Sequence, residues 1–265
     1  TVIRTGYGVY YNQSALAPGE GLYFNQPFFD FRLFFPLPTR LLTLTDPFPD
    51  DFPFPLPPSA LTFQRDLQTP YTHQWNFGVQ QEVGPGRTLE VAYVGSRGRN
   101  LIRGRDVNQA QPSQNPYNLR PNPLFADIVS VESKARSTYD ALQVLFNERM
   151  ANLSVLAAYT LSESQDDASG FFSSTGDPNF PQDSNNPSDE FGRSSFDVRH
   201  RFTTSFSYDL PFGAGRALAT SGWAAVLFGD WRTAGIVTLQ SGQPFTVALV
   251  PEFDNSNTGR AALGF

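Results

Sequence analysis

Residues 196–210 read FDVRHRFTTSFSYDL, and alternate side chains fall into two sets. Phe196, Val198, His200, Phe202, Thr204, Phe206, Tyr208 and Leu210 form an apolar, aromatic set, whereas Asp197, Arg199, Arg201, Thr203, Ser205, Ser207 and Asp209 form a polar one. A period of two held over so long a run predicts a β-strand and fits no helix. Ordinary strands peak near about five or six residues, while a tilted membrane-crossing strand needs about nine to eleven. The aromatic residues stand toward both ends of the apolar set, where a membrane barrel carries its interfacial girdles. The stretch reads as a wall strand of an outer-membrane β-barrel, lipid on one side and a wet lumen on the other. A long strand of a soluble sheet is the alternative that alternation alone leaves open.

The same pattern recurs outward from this stretch. At the start of the chain, Ile3, Thr5, Tyr7, Val9 and Tyr11 alternate with Val2, Arg4, Gly6, Gly8 and Tyr10. In Tyr71–Val83, His73, Trp75, Phe77 and Val79 oppose Thr72, Gln74, Asn76, Gly78 and Gln80. The turn Gly84-Pro85-Gly86-Arg87 leads into a return strand with Leu89, Val91 and Tyr93 on its apolar side. Tyr139–Arg149 carries Leu142, Val144 and Phe146, and a turn at Met150-Ala151-Asn152 opens a strand from Leu153 in which only Leu156 breaks the polar side. Trp231–Leu239 is the last clear strand. Between strands lie long stretches at 12–70, 98–136 and 165–194; the first is dense in Pro and Phe, which denies a sheet its ladder donors. From the first strand the connections run long, short, long, short, long, short. The expected fold is therefore all-β, an antiparallel up-and-down transmembrane β-barrel segment with short periplasmic turns and long extracellular loops. About seven strands is an odd number, while single-chain bacterial barrels close on an even one, so the chain is expected to be a wall segment.

Composition agrees. The 265 residues are 40% hydrophobic with no apolar run near the ~18 residues of a membrane helix, and alternating strands average to the low mean hydropathy of -0.32. A net charge of -6 argues against a nucleic-acid partner. Without cysteine there is neither a disulfide framework nor a thiolate metal site. The sequence shows no signal peptide and opens directly into a strand.

Five pieces, residues 69–101 (TPYTHQWNFGVQQEVGPGRTLEVAYVGSRGRNL), 137–150 (STYDALQVLFNERM), 153–169 (LSVLAAYTLSESQDDAS), 196–213 (FDVRHRFTTSFSYDLPFG) and 229–247 (GDWRTAGIVTLQSGQPFTV), resemble in content and order the barrel region of Oar-like TonB-dependent outer-membrane transporters. The resemblance covers most of residues 71–250. It implies a parent barrel of roughly 22 strands, a plug and an energy-coupling segment that contacts TonB, with residues 1–265 as a partial barrel domain lacking both. It implies energised uptake of a nutrient such as a siderophore, a glycan or a peptide. On this basis the parent is expected to continue past Phe265 and to precede Thr1 with a plug and more wall. A passive pore or structural envelope protein, and a secreted β-rich binding module, are the competing classes.

Candidate chemistry is sparse, and no enzymatic activity or cofactor is expected. No serine stands in a GxSxG setting, and neither histidine has triad partners. His73 and His200 fall on the apolar set, better suited to an aromatic-like interfacial role than to a metal. Acids and amides of the third loop (Asp166, Asp167, Asp177, Asp183, Asn185, Asn186, Asp189, Glu190) offer oxygens for Ca²⁺ but lack the spacing of a calcium loop, so no metal site is assigned. Gln74, Asn76, Asp197, Arg199 and Arg201 share the lumen parity and are the candidate contacts to a plug or a solute. A mutual ion-pair ladder among Asp197, Arg199 and Arg201 is the structural alternative.

Overall fold

The computed structural model describes residues 1–12, 19, 21–25, 28–29, 43–48, 57–113, 119–170, 180–213, 215–218 and 220–245. Seven strands make one antiparallel meander: β1 (Val2–Tyr11), β3 (Tyr71–Gly84), β4 (Arg87–Asp106), β5 (Ile128–Arg149), β6 (Leu153–Asp166), β8 (His200–Asp209) and β9 (Arg232–Gln240). Two short strands lie off this path. β2 (Ala60–Phe63) runs parallel to the outer part of β5, and β7 (Gly192–Arg193) pairs with the end of β6. β1 and β9 are the two edges, so the sheet is an open wall. No helix among the described residues is long and apolar enough to cross a membrane.

Register carries the two parities across the whole wall. Val79, Val91, Val144, Tyr159, Phe202 and Leu239 are successive cross-strand partners, and all lie on the apolar face. The opposite face brings Gly8, Gln74, Ser96, Tyr139 and Ser164 into one row. The interior is inverted relative to a soluble protein. Apolar side chains such as Val91, Tyr93, Leu142 and Leu239 are exposed, and the few buried hydrophobics among the described residues (Ala110, Val131, Ala135, Ala141) are outnumbered by buried polar ones. A contiguous exposed apolar face of this extent needs a nonaqueous neighbour.

Charged pairs mark where that face stops. At the turn end Arg87 meets Glu148 at 2.8 Å, and toward the loops Arg97 meets Asp140 at 2.8 Å. Arg199 reaches Glu163, also at 2.8 Å, one strand further on. From Asp140 to Glu148 is eight residue steps of β5, about 26 Å along the strand and about 20 Å along the normal for a tilt near 40°. Aromatic residues frame the band. Tyr7, in the cross-strand row of Asp140, hydrogen-bonds His73 Nδ1 at 2.7 Å, and Tyr159, in register with Val144, hydrogen-bonds His200 Nδ1 at 2.8 Å, so both histidines are partners of tyrosines on the apolar face. Trp75 lies across Gly95, where an added Cβ would stand 2.4 Å from the indole, and Arg97 stacks on the same ring at 5.3 Å. At the first turn Gly86 adopts φ +71°, the left-handed geometry that Pro85-Gly86 supplies in a type II turn.

Several sequence expectations are corrected. Strand β8 begins at His200, four residues later than alternation suggested, because residues 194–197 close a turn through Asp197 N–H to Ser194 O at 2.9 Å. The stretch 98–136 is not all loop: β4 runs to Asp106 and β5 starts at Ile128, past a bulge where Asn100 takes φ 55°. Local polarity hid this, since beyond the lipid band charged residues such as Arg103, Arg105, Glu132 and Lys134 interrupt the alternation. The long first connection contains β2, tied by a bidentate contact in which the Asn25 side chain bonds Leu61 N and O, each at 2.7 Å. The last connection is not short. Leu210–Trp231 carries helix α1 (Gly222–Phe228) at the turn end, beside Asn152, whose carbonyl accepts Asp209 N–H at 2.8 Å.

Candidate functional site

On the polar face, Gly6 and Gly8 of β1 leave the wall without side chains, and the rows on either side rise around the gap. The result is a cavity of about 550 Å³ whose lining includes Tyr10, Gln74, Asn76, Ser96, Tyr139 and Ser164. The Asn76 amide lies over Gly6 and the Tyr10 ring over Gly8, each near 3 Å from where a Cβ would stand. Among the described residues, no Asp, Glu, Lys or Arg lines the cavity. Phe196 projects into it from the turn that precedes β8 and is 55% exposed. Amides, hydroxyls and flat rings without charge suit a neutral polar surface, which they can hydrogen-bond and stack upon.

Beyond the ends of β4 and β5 the long connections are tied together by buried polar groups. Asn108 is fully buried; its Nδ2 donates to the carbonyls of Asn122, Phe125 and Ala126 at 2.8–3.0 Å, and its Oδ1 accepts Asn122 N–H at 2.7 Å. Gln109 clamps the neighbouring connection, donating to Gln182 O and accepting Ser184 N–H. Arg105 binds Glu132 at 2.7 Å and donates to Ser184 O, while buried Arg103 lies 3.6 Å from both Glu132 and Asp167. Arg103 Nε has no hydrogen-bond partner among the described residues. Asp106 ends β4 well beyond the lipid band; burial pushes its carboxyl above the ordinary carboxylate value, opposed by the Asn108 and Ile128 amides. Burial raises the Asp166 carboxyl in the same way.

The five sequence candidates separate. Gln74 and Asn76 line the cavity. Asp197 does not stand on the wall: it is buried in the 194–197 turn, where its Oδ1 accepts Ser164 N–H at 2.8 Å. Arg199 sits at the bend before β8 and turns to Glu163, whose strand position has the parity of Leu161. Arg201 does face the polar side, in register with Thr160 and Gln240. No ladder forms among the three, because the turn takes Asp197 away from the arginines. Of the third-loop oxygens, Asp177 lies outside the described residues; Asp183, Asn186 and Asp189 are used in local hydrogen bonds, and no metal-binding group occurs among the described residues. The sequence reading missed Tyr10 and Tyr139 as site residues. Their signal was present, since both are aromatic rings on the polar parity.

An apolar belt about 20 Å tall between charged rows, girdle aromatics, a polar inner face and short turns opposite tied loops define a membrane-spanning barrel wall. The chain belongs to the family described as the outer membrane beta barrel domain, whose model matches residues 1–263, and it is accordingly an outer-membrane protein. Among solved structures it is similar to the outer membrane transporter YddB from Escherichia coli, with TM-score 0.44 and 14% identity over 78% of this chain and 24% of that one. It is also similar to the FrpB iron transporter from Neisseria meningitidis, with TM-score 0.34 and 11% identity over 57% of this chain and 18% of that one. The chain thus spans a quarter or less of either structure. No curated protein matches it.

Proposed function

We propose that this chain forms part of the wall of a non-enzymatic TonB-dependent transporter, akin to the Oar-like group, that takes up a nutrient across the outer membrane with energy delivered from a partner. The observation that carries this is the uncharged cavity on the lumen face, on a wall whose long connections are clamped together by Gln109. Gln74, Asn76, Tyr10 and Tyr139 contact the solute, with Arg201 further along the wall. The uncharged lining favours a neutral polar portion of a glycan or peptide over an anionic chelate. Uptake assays in cells with and without a functional TonB system test the reading. Transport that needs TonB and falls in Tyr10→Ala and Tyr139→Ala, at unchanged barrel abundance, supports it. TonB-independent flux that is indifferent to both substitutions indicates a passive pore instead.

A further inference from the structure

The wall's turn end carries an apolar surface that neither its strands nor its lumen uses. Between Arg216 and Asp230 lie thirteen residues without a charge, and they contain α1, GWAAVLF. The connection is folded on itself. Leu218 N–H bonds Pro211 O at 2.8 Å, Gly213 N–H bonds Leu218 O at 3.1 Å, and Phe228 packs against Phe212 with ring centroids 6.5 Å apart. Gly213 and Gly229 touch backbone to backbone, so a Cβ on Gly213 would stand 2.9 Å from the Gly229 Cα. The helix is therefore held against the neck of the β8–β9 hairpin. Its outer stripe is uncovered: Trp223 is 77% exposed, Val226 88%, and Leu227 is exposed beside them, at the i, i+3, i+4 positions of one helical face.

We propose that this stripe is a docking surface for the bilayer, with α1 lying in the headgroup boundary of the periplasmic leaflet. Continuity with the lipid face points to lipid as the occupant. Leu210 N–H bonds Trp231 O at 2.8 Å, which places Trp231 on the parity of Thr233, Gly235, Val237 and Leu239, the apolar face of β9. Trp231 is itself exposed, three residues past α1, so the apolar face of β9 reaches toward the helix with Asp230 as the one charge between them. Charges flank the uncharged segment: Arg216 and Asp230 bound it, and Asp209 pairs with Arg232 and lies near Arg216. A tryptophan-bearing apolar stripe with charges at its margins has the composition of an interfacial anchor.

The test is depth-resolved quenching of the protein refolded into phosphatidylcholine vesicles, with bromine placed either near the headgroup or deep in the acyl chain. The difference between the wild-type spectrum and that of Trp223→Phe isolates Trp223 from Trp75 and Trp231. The expected result is a Trp223 component quenched more by shallow than by deep bromine and protected from aqueous iodide. Val226→Glu should shift that component toward iodide, while retained β-sheet circular dichroism reports an intact wall. A Trp223 component open to iodide in the wild type would overturn the proposal, as would one shielded from both quenchers, which would mean a protein cover such as a second copy.

Discussion

Arginine introduced at Val144 should be among the most costly single substitutions on the wall. Val144 lies on the lipid face between Val91 and Tyr159 and four residues from each of the charged rows at Asp140 and Glu148. Four steps are about 13 Å along the strand and about 10 Å along the bilayer normal at a tilt near 40°, which sets Val144 close to mid-bilayer. An arginine covers only part of that distance by snorkelling. The expected cost of Val144→Arg is about 2–4 kcal/mol, or about 30- to 700-fold in the folding equilibrium. The adjacent Gln143 points to the lumen and is exposed, so Gln143→Arg should stay within about 0.5 kcal/mol. Urea titration of refolding into vesicles measures both. Equal costs at the two positions would refute the assignment of faces, and a small cost at both would refute the bilayer as the neighbour of the apolar side.

Replacing Arg103 by Leu removes one cation from the buried pair Glu132 and Asp167, which Arg105 and Arg136 still reach. The loss should therefore fall below the about 3–5 kcal/mol of a fully orphaned buried charge, and it should appear as faster protease cleavage in 167–199 with the wall intact. Asp106 gives a pH dependence. Its folded-state carboxyl is raised above the ordinary 3.8, so it contributes stability that is present below that value and lost as pH rises through the folded pKa. Acidification from neutrality through that interval should tighten the 107–127 connection against proteolysis, and D106N should remove this share while leaving that of Asp166. At Gly86, φ is +71° and an added Cβ would stand 2.3 Å from Arg149 O, so Gly86→Val should cost about 1–3 kcal/mol in the same urea titration.

Strand alternation was legible because lipid and lumen impose opposite chemistry on successive residues, and β3, β6 and β9 lie within a few residues of where periodicity put them. Outside the bilayer that contrast ends. The outer halves of β4 and β5 carry Arg103, Arg105, Glu132 and Lys134, which read as loop because charges interrupt the alternation there. Phe196–Arg199 failed for the opposite reason: the residues kept the alternation, but a local turn bond and the Ser164–Asp197 contact outcompeted the ladder. Part of the cavity was visible as Gln74 and Asn76. The rest depended on register, since Tyr139 and Ser164 become neighbours of Gln74 only once four strands are aligned.

On the main path every strand pairs only with the strands before and after it in the meander. A hairpin with no partner off that path, such as β3 with β4, is therefore a removable unit, like a stave. Duplicating or deleting β3 with β4 and their Pro85-Gly86 turn would change the circumference while preserving the pairing rules of every remaining joint. Such a wall can evolve its bore in discrete steps of two strands, separately from the substitutions that tune what its inner surface holds.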